Sequence, residues 1–81
     1  MDKRVAIISI IVENEQSVEK INSLLHSYRQ YIIGRMGIPY NPKKVSIISI
    51  AMDAPMDAIS GLSGKLGALE GVATKAVYAK V

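Results

Sequence analysis

Apolar and polar residues alternate along this chain in four strand-like and two helix-like stretches. Val5 to Val12 (VAIISIIV) is short, β-branched and flanked by charge, which predicts a strand. Its two faces are Ala6, Ile8, Ile10 and Val12, and Val5, Ile7, Ser9 and Ile11. Both are apolar, whereas a strand with one solvated face reads apolar on one side only. Asn14 suits a helix N-cap, and Val18, Ile21, Leu25, Tyr28 and Ile32 follow at helical spacing, with Leu24 widening the stripe. The spacing predicts an amphipathic helix ending near Tyr31. Gly34 and Gly37 make Ile32 to Ile38 a poor helix and predict a short edge strand. Pro39 to Lys44 has the residues of a hairpin loop. Val45 to Met52 (VSIISIAM) repeats the first strand's character: "SIISI" against "AIISI" predicts two neighbouring central strands buried alike.

Asp53 is placed to cap a second helix that Pro55 opens and that Ile59, Leu62, Leu66 and Leu69 carry toward Gly67 or Gly71. Gly61 and Gly64 fall inside it, each costing about 1 kcal/mol against Ala. That cost predicts a smooth face where another backbone packs closely. Val72 to Val81 reads as the last strand. The order β-α-β-β-α-β is that of a ferredoxin-like α+β fold, an antiparallel sheet with two helices on one face. Such helices leave the other face bare. With two strands apolar on both sides, the expectation is a homodimer or higher homo-oligomer, with Val5, Ile7, Ser9, Ile11, Val45, Ile47 and Ser49 at the interface. Ile8 and Ile48 then lie beneath the helices.

Composition sharpens this picture. Eighty-one residues predict one domain over 1–81, near the lower limit for folding without disulfides or metal. The chain is 49% apolar, with no Phe or Trp, so its core is aliphatic. The absence of Cys excludes disulfides, thiolate metal sites and Cys nucleophiles, and suits the cytoplasm. The first apolar run ends at Glu13-Asn14-Glu15 without a cleavage-site pattern, and no stretch reaches the roughly 20 apolar residues of a membrane span. The expectation is a soluble cytoplasmic protein. A net charge of +3 is scattered, which predicts a solvated surface and no direct nucleic-acid partner. The aromatics that an RNA-binding sheet of this topology stacks on bases are missing from the central strands.

No catalytic constellation is visible. Gly61-Leu62-Ser63-Gly64-Lys65 has the wrong glycine spacing for a phosphate loop, and Leu66 stands where Ser or Thr should follow the lysine. His26 is the only histidine, too few for an N/S metal site within one chain. The serines lack a general base in their own elements, and Asp53 and Asp57 read as helix-start residues. The sequence therefore predicts no enzyme, no metal and no cofactor.

Several segments together resemble one family. They are Leu25-His26-Ser27-Tyr28, Ile33-Gly34-Arg35-Met36-Gly37-Ile38-Pro39-Tyr40, Ser46-Ile47-Ile48-Ser49, Leu62-Ser63-Gly64-Lys65-Leu66-Gly67 and Gly71-Val72. The chain is similar over nearly its whole length to the group named putative iron-only hydrogenase system regulators. Ala54-Pro55-Met56 departs from the Gly/Thr-rich turn expected there. The resemblance implies an ACT-like fold, similar to the C-terminal domain of the nickel-responsive regulator, and a dimer or higher oligomer. It also implies a regulatory role, through a small effector or a partner protein. Nickel binding in that regulator uses several histidines and does not carry over to a chain with one. ACT-like domains hold effectors near the first strand–helix turn. By that analogy Glu13, Asn14, Gly34 and Gly37 are candidate ligand-binding residues, with Arg35 and Lys65 available to anions. Turn and packing geometry explains the same glycines equally well. A structural assembly module without a ligand is the alternative, and a small ferredoxin-like dimeric enzyme a more remote one.

Overall fold

Alternating side chains decide how the strands stack, and their pairing decides which alternate residues meet. The computed structural model describes residues 2–80. Strands β1 (Lys3–Val12), β2 (Ile32–Tyr40), β3 (Val45–Pro55) and β4 (Val72–Tyr78) form one antiparallel sheet in the order β2-β3-β1-β4. Helices α1 (Val18–Ser27) and α2 (Met56–Gly67) supply the two crossovers. The two similar segments are indeed the neighbouring central strands. They pair with Ser9 opposite Ser49, Ile8 opposite Ile50 and Ile10 opposite Ile48. Antiparallel pairing around the serines makes the repeated letters meet their own kind.

One face of these strands is sealed. Ala6, Ile8, Ile10 and Val12 of β1, with Ile48, Ile50, Met52 and Ala54 of β3, are buried against Ile21 and Leu25 of α1 and Ile59, Leu62 and Leu66 of α2. Each large aliphatic side chain placed there contributes roughly 1.5–3 kcal/mol. The opposite face carries Val5, Ile7, Ser9 and Ile11, all exposed, beside half-buried Val45, Ile47 and Ser49. The expected division between covered and bare faces is therefore the observed one.

The elements differ from expectation at their ends. The Asn14 side chain caps a 3₁₀ turn, Glu15–Ser17, accepting from the Gln16 N–H at 2.9 Å; α1 itself starts at Val18. The helix stops at Ser27 and a second 3₁₀ turn, Arg29–Tyr31, leads into β2. Ile32, read as the last member of the helical stripe, opens β2 and packs on the core from there. The β-branched pair Ile32-Ile33 before a glycine favours the strand.

Asp53 does not cap α2. Its segment continues the β1–β3 ladder, Asp53 opposite Val5 and Pro55 opposite Lys3, and Pro55 takes the cap position without a side-chain hydrogen bond. Sheet pairing outweighs the local capping signal. The last strand ends at Tyr78, short of the expected Val81, which lies outside the described residues.

Close backbone approach also falls elsewhere than expected. A Cβ on Gly64 would meet nothing within 4 Å, and one on Gly61 only the Tyr28 hydroxyl at 3.5 Å, an ordinary contact. The tight positions flank the end of α2. A Cβ on Gly67 would lie 3.0 Å from Thr74 Oγ1, and one on Gly71 2.7 Å from Asn14 Cβ. Gly71 has φ +71°, and its carbonyl accepts from the Glu13 N–H at 2.7 Å. Ser17, the one buried polar residue among those described, donates to the Glu70 carbonyl at 2.7 Å. These contacts tie the β1–α1 turn to the α2–β4 turn.

Candidate functional site

The candidate ligand-binding residues lie in three separate places. Glu13 and Asn14 follow β1, where with Glu15, Gln16 and Lys44 they border a shallow cleft of 470 Å³. Both are partly committed to the fold: Asn14 through its cap, Glu13 through its backbone bond to Gly71. Lys44 adopts a left-handed backbone (φ 55°) at the end of the β2–β3 turn and also borders a neighbouring cavity with Pro39, Asn41 and Ser46. Here two carboxylates and one ammonium share the rim.

Gly34, Arg35 and Gly37 lie on β2, one of the sheet's two edge strands, exposed along nearly its whole length. A bulge between Ile32 and Gly34 shifts its register. Gly34 pairs with Ala51, on the bare side of the sheet, while Arg35 and Gly37 pair with Ile50 and Ile48, on the helix side. No atom stands within 4 Å of a Cβ built on either glycine, so neither is required by packing within the chain. Arg35 reaches α1, where Nη2 donates to Asn22 Oδ1 at 3.4 Å.

Lys65, on α2, occupies the third place. Its Nζ donates to the Tyr28 hydroxyl at 3.0 Å and stands 5.3 Å from that ring's centroid. The pair bridges the two helices.

Asn22, His26 and Arg29 escaped the sequence reading as a group. At spacings of four and three they share one face of α1 and its following turn, opposite Arg35. Together with Leu25 and Ile32 they line a cleft of 320 Å³. The helical spacing was the available signal; the arrival of β2 beside that face was not readable from it.

The described residues include no group of three His, Asp or Glu side chains that could hold a metal ion. Ser63 and Thr74 bond to one another: Thr74 Oγ1 donates to the Ser63 carbonyl at 3.1 Å. No described helix is long and apolar enough to cross a membrane.

The bare sheet face is a further surface that the chain's own helices leave uncovered. Cross-strand rows run Ile38–Ile47–Ile11–Ala73, Met36–Ser49–Ser9–Lys75 and Gly34–Ala51–Ile7–Val77. Val5, Ile7, Ile11, Met36, Ile38 and Val77 are 38–60% exposed. The face is mostly aliphatic, with a serine pair at its centre and exposed Lys75 at the β4 end of that row, and no element among the described residues crosses it.

Comparison with known proteins agrees with this architecture. The chain is 36% identical to the uncharacterized protein TM1266 from Thermotoga maritima, with a TM-score of 0.93 over 98% of this chain and 100% of that one. A formyltetrahydrofolate deformylase from Pseudomonas putida KT2440 shares the fold at TM-score 0.65 and 15% identity, over 90% of this chain but 28% of that one. No curated protein matches the sequence. Residues 4–76 match the family model described as "TM1266-like: Iron-only hydrogenase system regulator, putative". By that match and the near-complete likeness to TM1266, the chain belongs to this family of regulators.

Proposed function

We propose that the chain is a non-catalytic, cytoplasmic regulatory module that works as a homo-oligomer assembled through the bare face of its sheet. In this reading it senses a small effector or binds a partner protein. The observation that carries the assembly is the size and character of that face. The chain exposes 5471 Å² of surface. A monomeric protein of its 8.8 kDa mass is expected to expose about 4,800 Å² by the usual scaling. The chain thus exposes on the order of 700 Å² more than that expectation, and the exposed aliphatic side chains of the bare face contribute to it. Val5, Ile7, Ser9, Ile11, Val45, Ile47 and Ser49 form the centre of the proposed contact.

The family name supports the regulatory half of the proposal. Light scattering at micromolar concentration tests assembly, and a stable monomer would overturn it. A thermal-shift screen with amino acids, nucleotides and divalent metals tests sensing: a reproducible rise with one class supports it.

The dispersal of Glu13 and Asn14, of Gly34, Arg35 and Gly37, and of Lys65 over three places favours a second reading, an assembly module with no ligand. In that case no compound class raises the melting temperature, while light scattering still reports an oligomer.

A further inference from the structure

Among the clefts of this chain, the one between α1 and β2 has a distinctive charge. Its lining residues are Asn22, Leu25, His26, Arg29, Ile32 and Arg35. Two guanidiniums and an imidazole meet there, and none of the six is a carboxylate. The cleft at the end of β1, by contrast, sets Glu13 and Glu15 beside Lys44.

Each arginine makes one hydrogen bond to α1 or its side chains that directs it toward the cleft. Arg29 Nη1 donates to the His26 carbonyl at 3.0 Å, and Arg35 Nη2 donates to Asn22 Oδ1 at 3.4 Å. A guanidinium has five N–H donors in a planar fork, so each keeps free donors after this anchoring. Anchoring also reduces the side-chain entropy lost when a ligand arrives. Arg29 meets the carbonyl end of α1, where the helix dipole would otherwise oppose an anion. Leu25 is buried and Ile32 half-buried, which gives the cleft an apolar floor beneath a cationic rim. Its 320 Å³ is the size of a small metabolite.

We propose that this cleft binds a small organic oxyanion, a carboxylate- or phosphate-bearing metabolite whose charged group is clamped by Arg29 and Arg35. Asn22 and His26 contribute polar contacts, and the ligand's carbon body lies on Leu25 and Ile32. The inference rests on the reading of the chain as an effector sensor, and gives that effector a chemical class. The bare sheet face is on the other side of β2 and β3, so occupancy of the cleft and assembly through the face are separable.

The test is titration of the full ¹⁵N-labelled chain with inorganic phosphate and with citrate, at constant ionic strength set by sodium chloride. The expected result is saturable shifts at amides within residues 22–35 with at least one probe, and the tighter probe identifies the head group. Arg29→Gln and Arg35→Gln should each weaken that binding by at least about tenfold, as loss of a charge-assisted hydrogen bond implies. Lys43→Ala removes the same charge from the β2–β3 turn and should leave affinity within about twofold, because an exposed charge acts weakly at a distance. Unsaturable shifts with both probes, shifts spread over the lysines, or equal weakening by Lys43→Ala would overturn the site. Such a failure leaves assembly untouched, because light scattering on the same sample reports it independently.

Discussion

The two faces of β1 carry nearly the same chemistry and have different fates. Ile8 and Ile10 are fully buried under α1 and α2, while Ile7 and Ile11, one residue away, are 44% and 38% exposed. Nothing in the residue types separates them. The difference comes from the crossovers, which place both helices on one side of the sheet. The same side chain thus stabilises the chain's own fold on one face and is available to a second molecule on the other. A strand apolar on both sides in a two-layer fold is a sign of association.

A charge placed on each face separates their roles most directly. Ile8→Asp should prevent folding. Truncating such a residue to Ala already costs about 2–5 kcal/mol, and a buried carboxylate costs more. The total stability of a chain this size is about 4–12 kcal/mol. Circular dichroism checks this, and a native spectrum would mean the inner face is misassigned. Ile7→Asp should instead leave a folded chain and abolish assembly. Light scattering together with an unchanged far-ultraviolet spectrum is the expected outcome; an intact oligomer would move the contact elsewhere.

Glycines extend the contrast to smaller effects. At Gly71 the backbone is left-handed and a Cβ would press on Asn14, so Gly71→Ala should cost about 1–3 kcal/mol. Urea unfolding measures it, and a neutral result would show that the two turns can separate freely. Gly64 is the opposite case, interior to α2 with open space around it. Gly64→Ala should raise stability by up to about 1 kcal/mol, through helix propensity and a narrower unfolded ensemble. A fall in the melting temperature would indicate that a second subunit packs against α2 as well.

Periodicity made most of this fold legible. The central strands, the stripes of both helices and the division of β1 into faces all follow from which residues are apolar and how they are spaced. Signals with more than one solution were harder. Asp53 is a good cap by type, but β3 gains more by continuing its ladder beside β1 than by ending there. Ile32 continues the helical stripe by spacing, and yet reaches the same core from β2. Gly61 and Gly64 drew attention by their cost in a helix, whereas the glycines that packing requires sit at the end of α2 and in its turn. The candidate site was less legible. Arg35 could be singled out from β2 alone, but its companions Asn22, His26 and Arg29 are set by how α1 lies beside that strand.

The edge strand β2 bears on how far association can run. Contact through a sheet face closes when two faces meet, whereas contact through a strand edge exposes another edge and can continue into a filament. For a chain this aliphatic, an open ladder would be a hazard. β2 is irregular at both ends: the bulge between Ile32 and Gly34 breaks its register, and Pro39, opposite Ser46, has no N–H to offer. Regular, hydrogen-bond-competent backbone is thereby confined to a few residues around Met36, too short a template for templated growth. On its β2 side, the large greasy face is therefore bordered by a strand edge that is a poor seed for fibres, and β4 forms the other edge.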